Sequence, residues 1–273
     1  MTSPPIASDS ALAVRPSLRT LPLILMYHAV ADPASDPHRL AVTPARFAEQ
    51  MAWLAGRGLR GVGMGALVDA MRAGCQRGLV GITFDDGYVS VLDAALPVLR
   101  RHGFGATVFV ISDMLGRTNE WDRPGERDRP GERDRPGERD LGPAWPLLDG
   151  TGVGELARAG IEIGSHGATH VPLAGLPAAA LAAEAAGSRA ALGSLTGREI
   201  RGFAYPYGSV DPAACRAVRD AGYAYGCAVA APPGQLSLTA LPRIYVGQRD
   251  GAARMAAKRR LYRGYIALRG ARQ

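Results

Sequence analysis

Apolar and polar positions follow two different periods along the chain. Short apolar runs end in polar or glycine-rich residues, and between them apolar side chains recur three and four positions apart. The runs read as buried strands and the spaced segments as helices that cover a sheet. Residues 23–28 predict the first strand. Thr43-Pro44 predicts a helix start, an N-cap followed by proline at the first helical position, with Phe47, Met51 and Leu54 on one stripe. Gly56 and Gly58 close that helix. Segments 79–84, 106–112, 161–165, 201–205, 223–229 and 241–246 predict further strands. Segments 90–101, 152–159 and 177–195 predict helices, Asp211-Pro212 opens another, and a basic helix ends the chain. About seven strand–helix units in succession imply an α/β fold with a parallel sheet, and favour a closed barrel over an open sheet.

Composition narrows the picture. The chain has 273 residues, 47% of them hydrophobic, which is enough to bury a large core. Cys75, Cys215 and Cys227 show no metal-type spacing and read as small buried hydrophobes. Residues 1–20 lack the charged, apolar and small-residue succession of a signal peptide. They predict a disordered segment. With no apolar run long enough to span a bilayer, the expectation is a soluble, cytoplasmic protein.

The expected organisation is that segment, a folded domain over 21–250 and a basic helix over 251–273. The net charge of +7 comes from Arg254, Lys258, Arg259, Arg260, Arg263, Arg269 and Arg272, because residues 251–273 contain no acid. A terminal helix packed through Met255, Tyr262 and Ile266, with a solvated basic face, is the plain expectation. Weak contact with an anionic surface is the alternative, and no nucleic acid is expected. One stretch, 119–142, breaks the pattern. Its residues 122–139 are three tandem copies of Asp-Arg-Pro-Gly-Glu-Arg, without an apolar side chain, and predict a solvated surface loop.

Candidate chemistry falls at three strand ends, the edge where barrel enzymes place their sites. Asp85 and Asp86 stand in Thr83-Phe84-Asp85-Asp86-Gly87. Neighbours at a strand end point in different directions, so one carboxylate can hold a metal while the other faces a water. The same Asp-Asp-Gly is also a good turn. His166 and His170 are spaced so that both rings reach one ion, on one helical turn or across a tight loop. With one carboxylate they form a two-histidine set with open positions, the mark of a catalytic rather than a structural site. Phe203-Ala-Tyr-Pro-Tyr-Gly208 is a rigid aromatic loop, able to offer the Tyr207 N–H to an oxyanion and its rings to a sugar.

Together these segments resemble the polysaccharide deacetylase family, the NodB-homology carbohydrate esterases. The resemblance covers residues 21–246. Thr83–Gly87 and Gly164-Ser-His-Gly-Ala-Thr-His170 are its most specific elements. Met26-Tyr-His-Ala-Val30 and the 203–208 loop are similar to the branch acting on poly-N-acetylglucosamine and related exopolysaccharides. The resemblance implies a distorted (β/α)7 barrel of NodB-homology type. It also implies Asp85 as general base, Asp86, His166 and His170 as ligands of a divalent metal, and the Tyr207 N–H in an oxyanion hole. Zinc is the expected ion, and such a set also accepts cobalt, nickel or iron.

Three positions depart from the family pattern. Gly167 stands where many members have Ser or Thr, so a hydroxyl that could brace the loop is lost. Ala204 stands where many carry an arginine that holds the catalytic aspartate; Arg201 or Arg243 would substitute, Arg243 being the better placed. No histidine follows His170 to act as general acid. His28, at the end of the first strand, would protonate the leaving amine or bind substrate; alternatively Asp85 returns the proton it took.

The expected activity is hydrolysis of N-acetyl groups on an N-acetylglucosamine oligomer or polymer. A small-molecule amide or ester hydrolase on the same site, and a saccharide-binding protein of the same fold without turnover, are the rivals.

Overall fold

The computed structural model describes residues 21–122, 144–229 and 236–270. Segment 1–20 and nearly all of the hexapeptide repeat lie outside the described residues, so the expectations for them are not addressed by it. The chain runs through β1 (Leu23–Tyr27), the short strands β2 (Ala29–Val30) and β3 (Ala41–Val42), α1 (Pro44–Ala55), β4 (Arg60–Val62), α2 (Met64–Arg72) and β5 (Leu79–Phe84). A π-helical turn (Val91–Ala95) leads into α3 (Leu96–His102), followed by β6 (Thr107–Val110), α4 (Gly150–Arg158) and β7 (Glu162–Ser165). Then come α5 (Ala178–Ala182), a second π-helical turn (Ala183–Gly187), α6 (Ser188–Thr196) and β8 (Gly202–Ala204). The chain ends with α7 (Pro212–Asp220), β9 (Tyr225–Ala228), β10 (Leu241–Pro242), β11 (Ile244–Tyr245) and α8 (Ala252–Gly270).

The main sheet is parallel, in the order β10-β9-β8-β7-β6-β5-β1-β11, with β4 beside the first half of β5. β10 and β11 flank Arg243 and take different partners. Leu241 and Pro242 pair with Cys227 and Ala228 of β9, whereas Ile244 and Tyr245 pair with Leu25 and Met26 of β1. The segment thus bridges the two edges of the sheet and makes a nearly closed barrel. Counting β10 and β11 as one crossing gives the seven strand positions of the distorted (β/α)7 barrel expected from the sequence.

Local chemistry explains the outer layer. The Thr43 side chain accepts the Arg46 N–H at 3.2 Å and caps α1, whose Phe47, Met51 and Leu54 are fully buried. Asp211 caps α7 in the same way through the Ala214 N–H at 2.7 Å. Inside, Tyr27 meets Phe47 edge-on at 5.3 Å and stacks near Phe84 at 5.6 Å, which anchors β1 and β5 against α1. α8 packs through Met255 and Tyr262, and the Tyr262 hydroxyl donates to Pro242 O at 2.7 Å. No helix of the described residues is long and apolar enough to cross a membrane.

Several features differ from the sequence reading. β4 and α2 arise from a glycine-broken stretch with weak periodicity; α2 nevertheless buries Met64, Leu67, Val68 and Met71. The helix expected over 177–195 is interrupted by the π-helical turn at Ala183–Gly187. Cys227 is buried and Cys215 half-buried, but Cys75 is exposed, because it follows the end of α2 in a turn that has already left the core.

Candidate active site

Because the strands are parallel, the C-terminal ends of β1, β5, β7 and β8 share one edge of the barrel. His28, Asp85, His166 and the 205–208 turn all follow directly from those ends. Asp85 is anchored there by its backbone N–H, which donates to Tyr27 O at 3.0 Å. The next residue turns the chain: Asp86 has a left-handed φ of 69°, and Gly87 follows at 76°. A Cβ on Gly87 would stand 3.4 Å from a Val110 methyl, so both conformation and space favour glycine. This turn sends the two carboxylates apart, as the sequence predicts.

Asp85 faces Arg243. The guanidinium reaches both carboxylate oxygens, at 2.6 and 2.7 Å, and donates to Thr83 Oγ1 at 3.1 Å. Arg243 and Asp85 are 1% and 3% exposed, so this is a buried, bidentate ion pair. Burial works against the charged carboxylate, but the charge of Arg243, then that of His166, outweighs it and holds the Asp85 carboxyl below its ordinary range. Arg201, the other arginine considered from sequence, is elsewhere: it pairs with Asp69 of α2 at the N-terminal edge of the barrel. The guanidinium that Ala204 lacks therefore arrives from Arg243, at the point where the barrel closes.

Asp86 faces His166 and His170. Its Oδ1 lies 3.4 Å from His166 Nε2 and 3.3 Å from His170 Nε2, and all three residues are buried. The ligand atoms fall within 4.8 Å of one another. His166 Nδ1 is 2.8 Å from Ala204 O, which fixes the proton on Nδ1 and aims the Nε2 lone pair at Asp86. Asp86 Oδ1 is buried and accepts no hydrogen bond of normal geometry, despite the two rings beside it. A buried, unsatisfied carboxylate oxygen facing two imidazole nitrogens fits a divalent cation, since an ion would satisfy all three at once. Burial again opposes ionisation, but the two histidine rings beside it outweigh burial and hold Asp86 well below the usual carboxylate range. For His166, burial acts downward and Asp85 and Asp86 act upward, with a net upward shift.

Tyr207 sits beside this cluster, its ring 4.6 Å from that of His170. It adopts φ 58° and is 45% exposed. Of the four non-glycine residues with a left-handed φ among the described residues, three are Asp86, His170 and Tyr207. Such conformations cost about 1–3 kcal/mol each and collect where function over-determines the backbone. His28 is half-buried, with its ring 6.3 Å from Tyr245 and its Nδ1 buried without a hydrogen-bond partner.

Sequence reasoning missed two residues at this site. Trp121, immediately before the repeat, places its ring 4.3 Å from that of His170. Glu184 reaches in from the second π-helical turn to the loop carrying both histidines. Trp121 borders a low-complexity stretch and Glu184 is a lone acid in an alanine-rich helix, so neither carries a motif.

A parallel α/β barrel with an arginine-held aspartate beside an Asp-His-His cluster, all at the C-terminal edge, is the NodB type of architecture. Residues 74–226 match the family described as polysaccharide deacetylase, and the chain belongs to that family. It is 27% identical over 216 residues to YxkH of Bacillus subtilis (strain 168), which carries polysaccharide deacetylase in its name; the match spans 78% of this chain and 66% of that protein. It is 32% identical over 99 residues to the poly-beta-1,6-N-acetyl-D-glucosamine N-deacetylase of Escherichia coli (strain K12), spanning 36% of this chain and 15% of that protein. In fold it is similar to the Streptococcus pyogenes deacetylase PplD in complex with acetate, at TM-score 0.69 and 19% identity over 87% of this chain and 97% of that one. It is also similar to IcaB from Ammonifex degensii, at TM-score 0.63 and 24% identity over 87% and 96%.

Proposed function

We propose that the chain is a metal-dependent N-deacetylase that hydrolyses N-acetyl groups on N-acetylglucosamine residues of an oligo- or polysaccharide, releasing acetate. The observation that carries this reading is the division of labour between adjacent carboxylates: Asp85 locked to Arg243, Asp86 open to two imidazole nitrogens. Family membership supports the reaction class, and the name of the Escherichia coli relative supports the sugar.

A divalent cation held by Asp86, His166 and His170 would polarise the acetyl carbonyl and acidify a water. Zinc is the first choice for two nitrogens and one oxygen, with cobalt or nickel as substitutes. Asp85 accepts the proton of the attacking water. Arg243 serves that step by keeping Asp85 ionised and its two oxygens fixed in one plane. The Tyr207 N–H donates to the oxyanion. His28 or the protonated Asp85 returns a proton to the nitrogen as the C–N bond breaks, leaving acetate and a free amine. Trp121 and the Tyr207 ring, both against His170, would give the sugar an apolar face. Exposed Arg254, Arg259 and Arg260 on α8 would add weak contact with an anionic surface.

The test is acetate release from N-acetylglucosamine oligomers by zinc-loaded protein, beside Asp85→Asn and His166→Ala. Release by the parent, lost by at least a hundredfold in both variants, is expected. Release from simple O-acetyl esters but from no N-acetyl sugar would shift the reading to a different acyl substrate.

A further inference from the structure

The loop from His166 to His170 carries both imidazoles of the metal cluster and belongs to no helix or strand. Its conformation is held from outside. Two of its carbonyls, Gly167 O and Ala168 O, accept the N–H groups of Ser112 and Asp113 at 3.2 and 3.0 Å. Two of its N–H groups, those of Ala168 and Thr169, turn the other way, toward Glu184. The Glu184 Oε2 accepts from the Ala168 N–H at 2.7 Å and the Thr169 N–H at 3.1 Å, while Oε1 accepts from the Thr169 hydroxyl at 2.5 Å. Glu184 is 6% exposed. A buried carboxylate needs compensation, and here three donors of one short loop provide it.

The grip continues through the backbone. The Gly167 N–H donates to Ser165 Oγ at 3.2 Å, Ser165 Oγ to Ser188 Oγ at 2.7 Å, and Ser188 Oγ to Glu184 O at 2.6 Å. Glu184 stands on the π-helical turn Ala183–Gly187, where the helix widens, and the Tyr223 hydroxyl donates to Ala185 O at 2.9 Å. The widened turn aims Glu184 across to the loop, and hydroxyl groups satisfy the carbonyls it displaces. Gly167 matters on the same ground. It adopts φ 82°, and a Cβ there would stand 2.7 Å from Glu184 Oε2. Glycine at 167 and glutamate at 184 are two halves of one arrangement.

We propose that Glu184 is a positioning residue for the metal centre, holding residues 167–169 so that His166 and His170 reach one ion with Asp86, and that its carboxylate supplies the brace that a hydroxyl at position 167 cannot. It rests on the metal-site reading above and adds a residue fourteen positions beyond the end of the motif at His170. Groups behind metal ligands commonly change metal affinity about 10- to 100-fold when removed.

The experiment measures zinc dissociation constants by competition with a chromophoric chelator, and visible spectra of the cobalt-loaded protein. It compares the parent, Glu184→Ala, Glu184→Gln, Gly167→Ser and the double variant Gly167→Ser with Glu184→Ala. Melting of each metal-free protein is recorded alongside. Glu184→Ala is expected to weaken zinc at least about tenfold and to alter the cobalt spectrum, with Glu184→Gln between it and the parent. Gly167→Ser alone is expected to weaken zinc, and the double variant to recover part of the loss, since the serine then enters space the carboxylate has left. Parent-like zinc affinity in a folded Glu184→Gln or Glu184→Ala variant, or strictly additive losses in the double variant, would overturn the proposal. A lower metal-free melting point with zinc affinity unchanged would do the same, by assigning Glu184 to the fold alone. Failure of the parent itself to bind zinc or cobalt would instead remove the metal reading on which the proposal stands.

Discussion

Among the described residues the barrel carries two bidentate arginine–aspartate pairs, one at each edge. Arg243–Asp85 has side chains 1% and 4% exposed and contacts of 2.6 and 2.7 Å. Arg201–Asp69 has nearly the same geometry, 2.8 and 2.7 Å, but its side chains are 31% and 52% exposed. In both pairs the aspartate is held below its ordinary pKa, yet the causes are ordered differently. For Asp85 burial is the largest influence and must be overcome by the charge of Arg243; for Asp69 the hydrogen bond from Arg201 leads. Identical contacts thus mean different things. At the N-terminal edge water already solvates both groups and the pair adds little. At the C-terminal edge neither group has water to fall back on, and each exists as an ion because of the other.

Removing Arg243 should therefore give the largest effect. Arg243→Ala leaves a buried, uncompensated carboxylate and should cost about 3–5 kcal/mol in chemical denaturation. Turnover should fall with it, because Asp85 would no longer be held as an ionised base. Arg243→Lys sharpens the point. Its ammonium keeps the charge but cannot make two parallel bonds, so stability should recover more than activity. If Arg243→Lys retains full turnover, fixing the plane of Asp85 is not part of the chemistry.

At the other edge, Arg201→Ala should cost less than about 1 kcal/mol, and less still at high salt. Acid titration gives the smallest effect. The folded pKa of Asp69 is depressed, so any stability from this pair is complete above the ordinary aspartate value of about 3.9. It is lost only as the pH falls through the lower folded value. The stability gap between the parent and Asp69→Asn should therefore be flat from pH 7 to pH 5 and close only in stronger acid. A gap that closes near neutrality would mean that another group sets it.

Much of this was legible in the sequence because it is written locally. A β-strand ending in Asp85-Asp86-Gly87, a strand followed by His166 and His170, and caps at Thr43 and Asp211 each occupy a few adjacent residues, and the structure keeps them where they were expected. Arg243 was harder, since its meeting with Asp85 depends on a barrel that closes over 158 residues of separation. Only its place on a late strand separated it from Arg201. Glu184 was not legible at all. One acid on an alanine-rich helix gives no periodic or motif signal, and its direction depends on a π-helical turn that composition does not announce. β4 and α2 were hidden by Gly61, Gly63 and Gly65, whose lack of side chains lets Glu162 and Phe104 approach closely. Glycine reads as a break when its actual service is contact.

The segment around Arg243 joins β9 to β1 through two residue pairs on each side. Such a seam is short, and short pairings open before a domain melts as a whole. When it opens, Arg243 leaves Asp85. Heat should then silence the protein in two stages: a reversible loss of turnover, accompanied by rapid amide exchange at residues 241–246, followed at higher temperature by collapse of the remaining barrel. The working temperature of the protein would be set by its weakest stitch rather than by its core.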